Sequence, residues 1–180
     1  MIDGRGPQDV ARSLKRYVAI ALGDDYEVRL SNEEGVFKRP FARVATAGAA
    51  TYPGGGARLA DVIQPYTVYA YPPLGVTSDD AWISATVIED LLFQAFRVGV
   101  ENGRAWRVPL YSYVNTPLNA VGTWLPPDFV RVSNLSTQSF VDAEESRLVS
   151  VACDLRLSWR RLAEVTVDTP LTAEVDISAP

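Results

Sequence analysis

The sequence predicts an α+β fold, an antiparallel or mixed β-sheet with two main helices packed on one face. Two segments, 7–22 and 78–97, carry apolar residues at helical spacing. A third, Val149 to Trp159, alternates apolar with polar side chains throughout, which is the period of a half-buried strand. The elements run helix, hairpin, strand, helix and then several strands, without the strict βα alternation of a parallel sheet. A chain of 180 residues is one domain's worth. At that size it buries roughly 70% of the surface its unfolded form exposes and needs no disulfide or metal to fold. The domain is expected over 1–161, with an extended tail over 162–180.

Pro7 suits a first helical turn, Asp9 favours the positive helix N-terminus, and Gly23 supplies a stop. Val10, Leu14, Tyr17, Val18, Ala21 and Leu22 make one apolar stripe, so this helix packs by one face. Tyr26, Val28 and Leu30 alternate with Glu27 and Arg29, and Phe37 to Ala45 reads as the return strand of a hairpin. Pro40 within it cannot donate to a ladder and pushes that strand towards an edge or a bulge. From 45 to 60 Ala, Gly and Thr dominate around Pro53-Gly54-Gly55-Gly56, which predicts a flexible loop or an arm that orders on a partner. A phosphate loop needs Gly-Lys-Ser/Thr, and these glycines run into Ala57-Arg58-Leu59 instead.

Val62 to Tyr71 is the next strand, closed by Pro72-Pro73. Thr77 or Ser78 caps the second helix, with Asp79-Asp80 on its first turn. Ala81, Ala85, Ile88, Leu91, Leu92, Ala95 and Phe96 form its apolar face, and Trp82 falls at the margin of the core or in an interface. Trp106, Val108 and Leu110 alternate as a strand. A long loop is expected over 111–128, too irregular for a helix and too apolar for a solvated loop. Phe129 to Val132 is expected to pair near Val149–Trp159, the central antiparallel strand.

The residue types exclude several chemistries. Histidine is absent, which removes the commonest general base and zinc ligand. One cysteine, Cys153, allows no intramolecular disulfide and falls on the apolar face of its strand. The paired acids Asp24-Asp25, Asp79-Asp80 and Glu144-Glu145 each read as a turn, a helix start or a solvated loop, whereas catalytic carboxylates converge from separate strands. Lys15 and Lys38 have no serine motif around them. No enzyme activity, cofactor or metal is therefore expected. A net charge of −5 argues against nucleic-acid binding as the main task. The apolar run Val18–Leu22 is far short of the ~20 residues that span a bilayer, and polar residues precede it. Neither a membrane nor export is expected, so the chain folds in a cytoplasm.

Aromatic and apolar residues in segments unlike core remain: Tyr111, Tyr113, Trp124, Leu125 and Phe129, and a second group of Tyr69, Tyr71 and Trp82. Such residue types anchor protein interfaces, although a satellite core under a long loop uses them equally well. Arg160-Arg161, at the end of the long strand, can meet acidic groups on a partner or stay solvated.

The helix PQDVARSLKRYVAIALG, the segment YEVRLSNEEGVFKRPFARV, the strand DVIQPYTVYAYP, the helix SDDAWISATVIEDLLFQAF and the strand SRLVSVACDLRLSWRR follow one another over most of 7–161. In order, length and composition this succession resembles the tail terminator (tail completion) proteins of long-tailed bacteriophages, especially the larger versions of actinobacterial phages. The resemblance implies a structural virion protein without catalytic residues. Its members form a hexameric ring on the head-proximal end of the tail tube and stop tube polymerisation. The implied partners are further copies of itself, the major tail tube protein and a head-completion or connector protein. DNA passes through such a ring without being specifically bound, and an acidic chain avoids a lumen that traps phosphates. A closing ring uses head-to-tail contacts, hence two different sticky surfaces per subunit. The competing expectations are a head–tail stopper, a tail-tube subunit, or a small-molecule-binding domain.

Overall fold

A computed structural model describes residues 6–56, 59–114, 122–142, 144–145 and 147–162. The chain runs α1 (Pro7–Leu22), β1 (Glu27–Leu30), β2 (Phe41–Thr46), β3 (Thr51–Gly56), β4 (Leu59–Tyr71), α2 (Ser78–Arg97), β5 (Arg107–Ser112), β6 (Thr123–Val141) and β7 (Val149–Leu162). The strands form one sheet in the order β1-β2-β4-β7-β6-β5, with β3 also paired to β4. All pairings are antiparallel except β1 with β2, so the sheet is mixed. The fold is α+β, as the sequence predicts.

The long alternating strand is central. β7 pairs with β4 from Leu59–Leu162 to Ala70–Val151, and on its other side with β6. Its inward side chains Val149, Val151, Cys153, Leu155, Leu157 and Trp159 are all buried. They meet Val62, Tyr66 and Val68 of β4 and the apolar faces of both helices in one core. Fully burying each large side chain is worth about 1.5–3 kcal/mol, so this face is a main source of stability.

The helices lie on that inward face. α2 packs on β6 and β7, while α1 packs on β5 at one end of the sheet and on β1 and β2 at the other. The sheet is therefore curled, and α1 sits between its two ends. Two polar groups of α1 complete the edge of β5. The Ser13 hydroxyl accepts the Tyr111 N–H at 3.0 Å and donates to the Tyr111 carbonyl at 3.4 Å. Asp9 Oδ1 accepts the Tyr113 N–H at 2.8 Å. An edge whose backbone groups are satisfied in this way is a poor template for further strands. Tyr17 then ties the helices together: its hydroxyl donates to the Ala95 carbonyl at 2.6 Å and accepts the Val100 N–H at 3.1 Å.

Helix α2 begins as its sequence dictates. Thr77 Oγ1 accepts the Asp80 N–H at 3.2 Å, and Asp80 Oδ2 accepts the Thr77 N–H at 3.0 Å, a reciprocal capping box.

Four expectations are corrected. The hairpin over 26–45 does not form, because β1 and β2 run parallel with Glu27 opposite Phe41 and Leu30 opposite Val44. Antiparallel pairing to β4 along the whole of β2 sets its direction, and residues 31–40 carry the chain back before β2 starts. Glu33 holds that return: it accepts the Leu30 N–H at 3.0 Å and pairs with Lys15 of α1 at 2.7 Å. Pro40 precedes β2 instead of interrupting it, and β2 lies between β1 and β4.

The loop expected over 45–60 contains β3, paired to β4 from Thr51–Ile63 to Gly56–Leu59. Small residues bury little, yet their backbone groups pair as well as any. The long loop expected over 111–128 is narrower, since β5 reaches Ser112 and β6 starts at Thr123. Pro126 and Pro127 are tolerated in β6 because they fall inside the register shift, between the pairs Pro109–Phe129 and Tyr111–Trp124, and β7 joins only from Arg131. Residues 115–121 of that loop and 163–180 of the expected tail lie outside the described residues.

Candidate interaction surfaces

The sequence-predicted interface residues do not form one patch. Tyr111 is buried, with the Arg16 guanidinium 5.0 Å from its ring centre, so it belongs to the contact between α1 and β5. Tyr113 is half-buried under Arg12 at 3.9 Å. For these two the satellite-core reading is the better one: long cationic stems from α1 lie over the rings. Trp124 remains exposed on β6, with Leu125 and Phe129 partly buried beside it in sequence. Arg160 is exposed and pairs with Asp61 at 3.0 Å, and Arg161 is half-buried.

Tyr69 and Tyr71 project from β4 on the face opposite the helices. There they join a row of rings that the sequence did not reveal. Phe41 stacks on Tyr71 at 4.3 Å and on Phe37 at 5.0 Å. Arg29 and Arg43 lie over Phe37 at 5.0 and 5.4 Å, and Arg39 lies over Tyr71 at 5.4 Å. Arg39 also donates to the carbonyls of Pro72 and Val149, which locks the loop end against β7. Phe37 belongs to the segment between β1 and β2, so the parallel pairing of those strands is what brings it here.

The larger apolar surface is on α2. Trp82 is exposed, one of the two outcomes left open for it. Ile83, Val87, Leu91 and Phe93 are exposed as well, Ile83 by 64% and Val87 by 50%. Ile83, Val87 and Leu91 recur every four residues and so line up along one flank of the helix, with Trp82 and Phe93 on the other flank. Between the flanks are Thr86, Asp90 and Gln94. Leu91, expected in the core, turns outward, because Ala81, Ala85, Ile88, Leu92, Ala95 and Phe96 already fill the inward face. Sequence reasoning stopped at one apolar face; the missed signal was that the run AWISATVIEDLLFQAF is apolar around most of its circumference.

Neither a protein-family model nor a curated protein matches the chain. Among the described residues no three Cys, Asp or Glu side chains converge as metal ligands, and no helix is long and apolar enough to cross a membrane. Two of the three acid pairs fall at the local features expected of them. Asp80 caps α2, and Asp142 Oδ1 accepts the Glu144 and Glu145 N–H groups in the β6–β7 turn.

Burial pushes the Cys153 thiol up to about 12, with Asp154 adding to the shift, and pushes Tyr26 up to about 12. Burial also raises Tyr17, Tyr66 and Tyr113. Each of these groups keeps its proton in the folded state at a pH where the unfolded chain has released it. The stability they contribute is complete below about pH 9 and is lost as pH rises towards about 12. With no histidine to titrate, the urea midpoint should stay flat between about pH 6 and 8 and fall above about 9. Cys153 should resist alkylation until the protein unfolds. Labelling of the native protein at the rate of an unstructured thiol would contradict its placement in the core.

Proposed function

We propose that this chain is a structural subunit that assembles with copies of itself, and specifically that it is a phage tail terminator. In that role it forms a ring that caps the tail tube and presents a surface to the head-completion or connector protein. DNA passes through the ring without specific binding. The observation that carries the reading is the outward face of α2, where large apolar side chains stand in water on a regular helix. An apolar stripe such as Ile83, Val87 and Leu91, left in water along one flank of a helix, marks an interaction site.

The position of the second surface supports a closed ring. The row of Tyr69, Tyr71, Phe41 and Phe37 lies on the sheet face opposite the helices, so one subunit offers two chemically different surfaces on opposite sides. Head-to-tail contact between unlike surfaces is what ring closure requires. The polar groups that reinforce this reading are the arginines around the rings, since Arg and aromatic residues are enriched at interface anchors.

Light scattering and negative-stain imaging of the purified full chain, alone and with tail-tube subunits, test the proposal. Rings of uniform size, found on tube ends in the mixture, are the expected result. Open-ended tubes formed by the chain alone would assign it to the tube itself. A strict monomer at concentrations of about 100 μM, still monomeric with tube subunits, would overturn self-assembly altogether.

A further inference from the structure

Neither of the two surfaces pairs well with itself. The outward side of α2 holds Asp79, Asp80 and Asp90 among its apolar side chains, and Arg97 in the last turn is its one cation. Two such helices face to face bring acid against acid. The aromatic row on the sheet has the opposite sign. Arg43 donates to the Ser31 carbonyl at 3.1 Å and Arg39 to those of Pro72 and Val149. Among the described residues neither pairs with a carboxylate. Arg29 pairs with Glu27, and Glu34 and Lys38 of the loop above are one of each sign. Asp154, further along this face, accepts the Thr67 hydroxyl and is followed on its own side of β7 by Arg156. Like charges set against each other across a contact are costly, whereas opposite charges fix its register.

The row also extends beyond Phe37, Phe41 and Tyr71. Tyr71 stands opposite Phe41, Ser150 falls beside Tyr71, and Phe140 of β6 stands opposite Ser150. Val149 and Val151 are buried in the core, so Ser150 and Phe140 face outward, and Phe140 is 45% exposed. Arg39 spans the middle of the row, over Tyr71 and 3.5 Å from the Ser150 hydroxyl. Three strand spacings put Phe41 and Phe140 about 14 Å apart. On α2 the flank from Ile83 to Leu91 is about 12 Å long.

The ends match as well. Arg29 and Arg43 stand at the β1–β2 end of the row, and Asp142 and Glu144 are exposed just beyond Phe140 at the other. Helix α2 has the reverse order, with acids in its first turn and Arg97 in its last.

We infer that α2 of one copy docks on the aromatic row of a second copy, with Ile83, Val87 and Leu91 against Phe41, Tyr71 and Phe140. Asp79 then lies towards Arg43, Asp90 towards Arg39, and Arg97 towards Asp142. This contact rests on the self-assembly proposed above and names the two sides that meet. Because those sides lie on opposite faces of the subunit, each copy keeps one of each free until the assembly closes.

Thiol cross-linking tests the contact. Val87→Cys and Ser150→Cys are made in separate full-length chains, mixed in equal amounts and treated with a short bis-maleimide. The buried Cys153 stays silent. Covalent dimer should form in the mixture and in neither variant alone, and one chain carrying both substitutions should give a ladder up to the size of the whole assembly. Phe140→Cys supplies a second position on the row should Ser150→Cys loosen its strand. Dimer from Val87→Cys alone would overturn the inference by showing that α2 packs on α2. A parent that sediments as an oligomer while neither mixture cross-links would overturn the contact and leave self-assembly standing. A strictly monomeric parent would overturn both.

Discussion

Val87→Glu is expected to convert the proposed assembly to monomer while leaving the fold intact. Val87 lies in the middle of the exposed stripe, one turn from Ile83 and one turn from Leu91, and half of it is open to solvent in the single chain. A carboxylate there costs the subunit nothing, since it stays hydrated and Glu is a better helix former than Val. In an assembled contact the same carboxylate must be stripped of water beside Asp90, which already carries a negative charge. An unpaired buried charge costs several kcal/mol, so each contact should weaken by a factor of about 100 or more. In the proposed ring every contact carries the substitution, which makes the loss cumulative. The melting temperature of the variant at a concentration where the parent is also dissociated should be unchanged within the range typical of surface substitutions, about 0.5 kcal/mol. Sedimentation of parent and variant decides it. An oligomer of unchanged size and strength would place the contact away from α2.

Phe96→Ala is expected to produce the largest loss of stability. Phe96 is fully buried at the end of α2 and packs against Tyr17, with ring centres 5.7 Å apart. The Phe96 carbonyl accepts the Trp106 N–H at 2.8 Å, which fixes the turn into β5. Removing the ring leaves a cavity where the two helices meet. Backbone carbonyls and Tyr17 frame that point, so it collapses poorly. Phe→Ala changes in such sites cost about 3–5 kcal/mol, which lowers the melting temperature of a chain this long by on the order of 10 °C. Thermal unfolding followed by circular dichroism measures it, and a drop of only a degree or two would mean that the Phe96 pocket closes by relaxation.

What was legible in the sequence was whatever repeats along a single element. Both helices carry their periodicity, caps and stops locally, and they lie where that pattern puts them. The alternation around Cys153 identified β7 and its inward face for the same reason. Strand direction was not legible, because Glu27–Leu30 reads the same whether its neighbour runs parallel or antiparallel. The contact of β2 with β4 decides it, and that contact joins distant residues. β3 escaped notice because backbone pairing leaves no mark on Gly54-Gly55-Gly56. The surfaces were half legible. Trp82 was recognised at the edge of its stripe, but Tyr111 belongs to the core because α1 closes over it. The closeness of Arg107 and Arg131 was hidden because each stands alone in sequence between apolar neighbours, and only the register of β5 and β6 sets them opposite one another.

The central ladder also governs how the molecule is made. β4 and β7 come from opposite halves of the chain, and Val62 must wait for Trp159 before the two can meet. Such remote pairing gives a high contact order and slow closure. A nascent chain on the ribosome therefore carries α1, β4 and, from about its midpoint, α2 with their oily sides uncovered until β7 is made.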